Sequence, residues 1–227
     1  MLLAKLKAYG FNKDSCALLR DYLSNRQQRV KIGDTFSSCE KVKRGVPQGS
    51  VLGPILFNIF ISDLLYHIKR AKLNAYADDH QIYYSDRDPV ALESCLCKEV
   101  ETANQWYNEN GIVVNESKHQ ALILGDTEYT FSFPVKESID IVGMNIDNKL
   151  QFDSHASLVY KQVNNQLNVM KRFRELISKA TLVKLYKAFI LPHYHYCSSV
   201  WHFCGARNTE KVEALNKRIL RFILDDF

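Results

Sequence analysis

The chain has 227 residues, of which 46% are apolar and 24% charged, and its formal net charge is +5. These values are typical of a folded globular protein with one large domain or two small ones. No apolar run approaches the roughly 20 residues of a transmembrane helix, and the start, MLLAKLKAYG, is not a secretory signal. We therefore expect an intracellular protein, nuclear or cytoplasmic, with no membrane partner and with six reduced cysteines.

Charge is distributed unevenly along the chain. Residues 1–70 carry 12 basic against 5 acidic residues, residues 71–154 carry 6 against 15, and residues 155–227 again carry 12 against 5. Two basic flanks around an acidic centre suit a protein that binds a polyanion and holds cations at its centre. A chance bias of charge on three solvent-exposed surfaces explains the pattern equally well. Charge alone therefore does not distinguish polyanion binding from chance.

The first quarter of the chain predicts two helices and a hairpin. Residues 2–9 end a helix that Gly10 closes, and a second helix covers residues 14–23. Polarity then alternates on both sides of Gly33-Asp34, a two-residue turn signal, which predicts a hairpin with a basic face.

A glycine-rich loop and a strand–turn–strand unit follow. Three glycines and two prolines between residues 44 and 54 predict a shaped loop, which opens at Pro54 into an almost wholly buried helix. Residues 71–86 predict two strands around a tight turn at Ala77-Asp78-Asp79.

Asp88-Pro89 then begins a helix that stops at Gly111. Its predicted apolar face consists of Leu92, Leu96, Val100, Ala103 and Tyr107.

Short strands give way to helices in the second half. Strands are predicted at residues 112–114 and 121–124, and a hairpin over residues 129–150 with Ile141-Val142-Gly143 in one arm. From residue 154 the pattern is helical, and one of these helices stops at Pro192.

The adjacent carboxylates of Asp78 and Asp79 are the main candidate for chemistry. Nucleotidyl transfer uses two Mg²⁺ ions about 3.5–4 Å apart, and Mg²⁺ binds carboxylate oxygens. Aspartate is also a favoured turn residue, and taken singly this pair is best explained as a turn. The order of the motifs favours the metal-binding interpretation. The acidic turn follows the glycine-rich loop and buried helix within about 30 residues and precedes a basic helical tail.

That ordered set resembles a known family. RGVPQGSVLGPILFNIFISDL, AYADD, NESKH and IVGMNIDNKLQF resemble successive blocks of the reverse transcriptase of non-LTR (LINE-type) retrotransposons, and the helical tail resembles the thumb of the same elements. The motifs are specific as a set and weak singly. The resemblance covers nearly the whole chain and implies an α+β fold. It implies a right-hand polymerase palm, an antiparallel sheet with packed helices, over residues 1–153 and an all-helical thumb over residues 154–227.

The resemblance also implies roles for single residues. Asp78 would ligate Mg²⁺ or Mn²⁺, with Asp79 as its acidic neighbour. Tyr76 and Ala77 would shape the turn, with Ala77 near the sugar and primer end. Residues implied to contact the template and the incoming nucleotide are Gln48 and Gly49.

Basic residues complete the implied site. Lys118 matches the lysine expected near the triphosphate, although His119 stands where the family more often has threonine. Without the family, Lys118 would be a solvated loop lysine. The partners would be an RNA template, a DNA primer and deoxynucleoside triphosphates. Residues implied to grip the nucleic-acid backbone are Lys171, Arg172, Arg174, Lys184 and Lys187.

One block of the family is absent from this sequence. The first metal-binding aspartate of the family lies in an Ala-Phe-Asp-like block just upstream of a segment like LLAKLKAYGF, and no such block occurs here. We therefore expect a fragment of a retroelement polymerase that lacks one metal ligand and is inactive alone.

Two other functions remain open. A non-enzymatic remnant that still binds nucleic acid explains the basic tail, and an unrelated acidic-turn hydrolase leaves the glycine-rich loop unexplained. The sequence indicates no oligomeric state. A dense group of histidines and cysteines fits no common zinc spacing and is better explained by helix packing. This group is His193, His195, Cys197, His202 and Cys204.

Overall fold

Helices and two-stranded ladders make up the structure, a computed structural model that describes residues 1–42 and 45–224. This mixture is α+β, as expected. The chain divides into two compact units, Met1–Glu116 and the residues from Ser117 onward. The expected palm-to-thumb boundary near residue 153 lies inside the second unit. It stays a prediction, because compactness alone does not define polymerase subdomains.

The first unit confirms the helices and hairpins predicted from its sequence. Gly33-Asp34 forms the turn of a short hairpin, as expected. Arg44, at the start of the glycine-rich loop, lies outside the described residues. The elements are α1 (Leu2–Ala8), α2 (Lys13–Leu23), β1 (Gln27–Gln28), β2 (Lys31–Ile32), β3 (Thr35–Phe36), β4 (Glu40–Lys41), α3 (Leu52–Ile61), α4 (Leu64–His67), β5 (Lys72–Tyr76), β6 (Asp79–Tyr83) and α5 (Pro89–Glu109).

Local signals set the ends of α5. The Asp88 side chain accepts a hydrogen bond from the Val90 N–H (3.1 Å), and Pro89, which has no N–H to satisfy, is the first helical residue. Beyond its last turn Gly111 has a φ of +70°, a conformation that favours glycine. The predicted limits of this helix are confirmed.

Two apolar clusters form the core of this unit, and α3 reaches both. Leu56 packs with Leu6 of α1, whereas Ile61 packs with Trp106 of α5. The expectation of an almost wholly buried α3 is wrong, because Ile55 is 51% exposed among the described residues. A helix covered from two sides still leaves a solvent-facing stripe.

The buried face of α5 lies one residue away from the predicted one. Leu92, Leu96 and Tyr107 are half-buried and Val100 is exposed. The fully buried residues of the helix are Cys95, Glu99, Ala103 and Trp106. Apolar spacing identified Ala103 correctly but missed the other three residues of this face, which include a glutamate.

The second unit begins with short strands and ends with a helical bundle. None of the helices in the described ranges is long and apolar enough to cross a membrane. All six cysteines of the chain are free thiols. The elements of this unit, after a single 3₁₀ turn at Glu116–Lys118, are β7 (Ala121–Leu122), β8 (Val135–Lys136), β9 (Ser138–Ile141), β10 (Met144–Asp147), α6 (Asp153–Arg172), α7 (Lys179–Leu185), α8 (Leu191–His195), α9 (Ser198–Trp201) and α10 (Ala206–Leu224).

Two strand predictions need correction. Residues 112–114 form no strand, and Val113 is exposed. Val142 and Gly143 form the turn between β9 and β10 rather than part of an arm, because Ile141 pairs directly with Met144. Both turn residues have positive φ, +48° and +78°, as in a type I′ hairpin turn, and such a φ is rare for valine.

Pro192 does not end a helix, contrary to the sequence prediction. The chain widens into a π-helical turn at Tyr186–Ile190, and the Leu191 N–H donates to the Tyr186 carbonyl. Pro192 then lies in the first turn of α8. Its missing N–H removes a hydrogen bond at the point where the π-helical turn already interrupts the regular α-helical pattern.

The core of the second unit is a stripe on α6. Val163 and Leu167 are fully buried, and they pack with Leu182 of α7 and Ile219 of α10. Residues spaced by three or four lie on one face of a helix, so this stripe follows from the sequence spacing.

A buried histidine makes the stability of this unit depend on pH. His155 is 5% exposed, accepts a hydrogen bond from the Asn145 N–H (3.4 Å to Nδ1) and contacts the Trp201 ring edge-on. Burial lowers the pKa of His155 below its usual 6.5, and the charge of Asp140 only partly opposes this effect. Below about pH 6.5 the unfolded chain therefore binds more protons at this residue than the folded chain does.

We expect the free energy of unfolding of the second unit to fall as the pH is lowered from 7.5 to 5.5. Urea unfolding followed by Trp201 fluorescence, in a Trp106→Phe background, measures it. The fall should be smaller in His155→Gln, whose amide can still accept the Asn145 hydrogen bond. Equal falls in the two proteins would contradict this assignment.

Candidate functional site

The acidic residues lie at the tip of the β5–β6 hairpin. Tyr76 pairs with Asp79, so the turn consists of Ala77 and Asp78, and Asp79 is the first residue of β6 rather than a turn residue. Ala77 has a φ of +52°, in the left-handed region that costs residues with a Cβ about 1–2 kcal/mol. Both carboxylates are exposed, so they are accessible to a cation or a substrate.

The two faces of this hairpin have different surroundings. Leu73 and Ile82 are cross-strand partners and pack against the cluster that contains Trp106. Side chains alternate along a strand, so Tyr76 and Asp79 share the opposite face. Tyr76 is 65% exposed. An exposed aromatic ring beside carboxylates is a surface that a sugar or base could contact.

A histidine and a tyrosine support the hairpin behind the turn. The Nδ1 of His80 and the hydroxyl of Tyr107 share a hydrogen bond, and their rings stack at 5.7 Å with 7° between their planes. Burial lowers the pKa of His80, whereas the Ala77 backbone and the charges of Asp78 and Asp79 oppose that shift. Burial also raises the pKa of Tyr107 to about 12, so its hydroxyl stays protonated at neutral pH.

A buried carboxylate holds the other end of the hairpin. Glu99 is 5% exposed, and its two carboxylate oxygens accept the backbone N–H groups of Lys69 (3.2 Å) and Arg70 (2.8 Å). These two residues connect α4 to β5. Burial of a carboxylate is costly without such partners, so this arrangement fixes the chain just before the strand begins.

The glycine-rich loop is held by one serine. The Ser50 hydroxyl donates to the Pro47 carbonyl (2.7 Å) and accepts the Gly53 N–H (3.0 Å), which ties the loop to the start of α3. A Cβ on Gly53 would lie 3.0 Å from the Ser50 Oγ and 3.1 Å from the Pro47 oxygen, so a larger residue there would displace the loop. Gln48 and Gly49 are exposed on this turn, and Gly49 has a φ of +80°.

The remaining predicted site residues belong to the second unit. Lys118 ends the 3₁₀ turn and is exposed. In the helical tail, Arg174 is half-buried, and its guanidinium lies 5.8 Å from the centre of the Phe222 ring. The exposed cations of the tail set are Lys171, Arg172, Lys184 and Lys187.

The acidic turn has the donors that Mg²⁺ prefers. Asp78 and Asp79 supply carboxylate oxygens. Within residues 1–42 and 45–224, no three histidine, cysteine or acidic side chains are grouped where they could hold a metal.

Sequence reasoning missed Glu99, His80 and Tyr107 as parts of this region. The apolar spacing places Tyr107 on an apolar helix face and gives no indication of the hydrogen-bond partner of its hydroxyl. Glu99 did leave a signal, because it shares a helical stripe with Cys95 and Ala103 at intervals of four residues. A charged residue in an apolar stripe indicates a specific buried partner.

Comparison with known proteins gives a consistent match. Residues 1–146 match the family model described as reverse transcriptase (RNA-dependent DNA polymerase). The chain is 26% identical to the probable RNA-directed DNA polymerase from transposon BS of Drosophila melanogaster, over 99% of this chain and 27% of that protein.

Two further relatives agree. The RNA-directed DNA polymerase from mobile element jockey of Drosophila melanogaster is 24% identical over 91% of this chain and 24% of its own length. A Pol polyprotein from type-1 retrotransposable element R1 2 of Nasonia vitripennis is 26% identical over 70% and 43%, respectively. The chain thus spans about a quarter of the length of the two Drosophila proteins.

Proposed function

Because this chain belongs to the reverse transcriptase family, and within it to the LINE type of non-LTR retrotransposons, we propose that its acidic hairpin is part of a centre for RNA-directed DNA synthesis. The observation that carries this proposal is the hairpin tip. Asp78, on the two-residue turn, and Asp79, the first residue of β6, are both exposed at a hairpin tip that is supported from behind, in the segment that matches the family.

In this proposal each site residue has a defined task. Asp78 and Asp79 hold Mg²⁺ or Mn²⁺, which when bound would neutralise the negative charge of a deoxynucleoside triphosphate. Tyr76 and Ala77 place the turn against the sugar at the primer end, and Gln48 and Gly49 contact the template and the incoming nucleotide. Lys118 supplies a cation for the triphosphate, a role that suits its compact charge.

The palm and thumb division is also part of the proposal. Residues 1–153 form the incomplete palm and residues 154–227 form the thumb. The cations of the tail set grip the phosphate backbone of the RNA–DNA duplex without reading its sequence.

We expect no primer extension from this chain alone. The reason is the number of ligands, since the described residues group no third carboxylate with Asp78 and Asp79. The assay extends a labelled DNA primer on an RNA template with all four deoxynucleoside triphosphates and either Mg²⁺ or Mn²⁺. Extension that disappears in Asp78→Asn would show that this chain holds a complete centre.

Binding to a primer–template duplex should depend strongly on salt. Fluorescence anisotropy at a series of KCl concentrations gives the slope of log K against log salt, and each phosphate contact adds roughly 0.9 to its magnitude. Replacing Lys171, Arg172, Lys184 and Lys187 by glutamine should make the slope shallower. The control replaces Lys98 and Lys149, which are exposed lysines outside this set. An unchanged slope in the fourfold variant, or an equal change in the control, would contradict the proposed surface.

A nucleic-acid-binding remnant without catalysis is the second candidate, and the small number of grouped carboxylates favours it. Fusing the chain to the segment that precedes the matched region in the jockey polymerase separates the two functions. Extension by the fusion, lost in Asp78→Asn, supports the polymerase. Duplex binding without extension supports the remnant.

A further inference from the structure

Helix α5 contacts the acidic hairpin at three levels. Glu99, Ala103 and Tyr107 are spaced by four residues, so they lie in one row along the helix. Glu99 accepts the N–H groups just before β5, and Tyr107 bonds to His80 next to the turn. Between them, the hairpin residues Leu73 and Ile82 pack against the cluster that contains Ala103. The base, the middle and the tip of the hairpin therefore each have a support on the same helix.

The lengths of the two elements match. Eight residues of α-helix from Glu99 to Tyr107 span about 12 Å. Four residues of strand from Ala71, next to the Glu99 contact, to Ala75, which pairs with His80, span about 13 Å. Both polar contacts can therefore form together without bending the hairpin.

The two polar contacts fix the position of the hairpin more narrowly than the apolar contact can. Packing of Leu73 and Ile82 is non-directional and tolerates small shifts along the strand, whereas hydrogen bonds have narrow distance and angle ranges. Ala75, the cross-strand partner of His80, has a small and exposed side chain that gives the tip little packing. The position of the tip thus depends on the His80–Tyr107 contact.

We infer that Glu99 and Tyr107 are positioning residues that hold the hairpin at its two ends and so fix where the carboxylates of Asp78 and Asp79 stand. Neither side chain needs to touch a substrate for this role. The inference rests on the proposed function only for the reason why the position of the carboxylates matters. The contacts of Glu99 and Tyr107 with the hairpin do not depend on any reaction. Fixed placement matters at such a site, since displacement by about 1 Å costs on the order of a hundredfold in rate.

Amide hydrogen exchange measured by NMR on the full chain tests this inference. Tyr107→Phe keeps the ring and removes the hydroxyl, and we expect exchange about fivefold faster at Tyr76 and Asp79, which form the hydrogen-bonded pair next to the turn. Glu99→Gln keeps the shape and loses one acceptor, and we expect exchange about tenfold faster at Lys69 and Arg70. Each variant should leave the far end of the hairpin unchanged. The controls are Tyr83→Phe, at an exposed tyrosine of β6, and Glu101→Gln, at an exposed glutamate of α5.

Two results would overturn the inference. One is faster exchange by the same factor throughout the first unit in both variants, which would mean a loss of overall stability alone. The other is no change at either end. Both variants conserve side-chain volume, so failure to fold is not the expected result.

A second readout on the same samples separates this inference from the proposed function. Mn²⁺ broadens amide signals near its binding site, and we expect it to broaden Asp78 and Asp79 less in Tyr107→Phe than in the unsubstituted chain. Broadening that is equal in the two proteins would count against positioning by Tyr107. Mn²⁺ could instead broaden the turn signals in none of the proteins while each variant speeds amide exchange only at its own end of the hairpin. In that case the positioning role of Glu99 and Tyr107 is supported, and the metal-binding part of the proposed function fails.

Discussion

Truncating Leu167 to alanine should lower the free energy of unfolding of the second unit by about 3 kcal/mol. Leu167 is fully buried on α6 and packs in the cluster with Leu182 and Ile219. The loss combines the lost transfer of the side chain from water with the cavity left between three helices that cannot fully close. Urea unfolding followed by Trp201 fluorescence, in a Trp106→Phe background, measures the change.

The control is the same leucine-to-alanine change at an exposed position, which shows how much of the effect is due to burial. Leu176 is 78% exposed, and Leu176→Ala should change the free energy of unfolding by less than about 0.5 kcal/mol. If both leucines cost the same, the α6 stripe is not the core of this unit.

Replacing Lys5 by alanine should destabilise the first unit by about 2–3 kcal/mol. Its ammonium group donates to the Phe60 carbonyl (2.6 Å) and to Asp63 (2.7 Å), and it lies 4.4 Å from the centre of the Phe60 ring and 4.7 Å from that of Trp106. The side chain of Lys5 is only 14% exposed, so its removal leaves a carbonyl and a carboxylate unpaired close to the core.

Lys7 provides the control for this prediction. It lies on the same short helix and is exposed, so Lys7→Ala should be nearly neutral. Trp106 fluorescence in a Trp201→Phe background follows unfolding of the first unit alone. A small and equal effect of both substitutions would mean that the Lys5 contacts add little to stability, as is common for exposed ion pairs.

Local signals in the sequence predicted most of the secondary structure. Asp88-Pro89 and Gly111 delimited α5, and Gly33-Asp34 marked a turn, because capping and turn geometry depend on neighbouring residues. The acidic hairpin was predicted for the same reason, with an error of one residue at Asp79. The family was also predicted correctly from the order of its motifs.

Contacts between distant residues were not predictable in this way. Glu99 reaches backbone groups 29 and 30 residues away, and Tyr107 reaches His80 across 27 residues. Spacing gives the face of a helix but not its partner. The hairpin turn at Val142 was not predicted either, since valine rarely adopts the positive φ found there. The roles of Lys118 and the tail cations stay predictions.

The π-helical turn at Tyr186–Ile190 has a consequence for insertions and deletions. Such a turn holds one residue more than the α-helical turn it replaces. Deleting a single residue there would let the segment relax to ordinary α-helix with little rotation downstream, because five residues of a π turn cover about the same angle as four α-helical residues. Pro192 would then lie inside a continuous helix, where its missing N–H and its ring cost about 3 kcal/mol or more. Length polymorphism should therefore be tolerated in the neighbouring loops and rejected within these five residues.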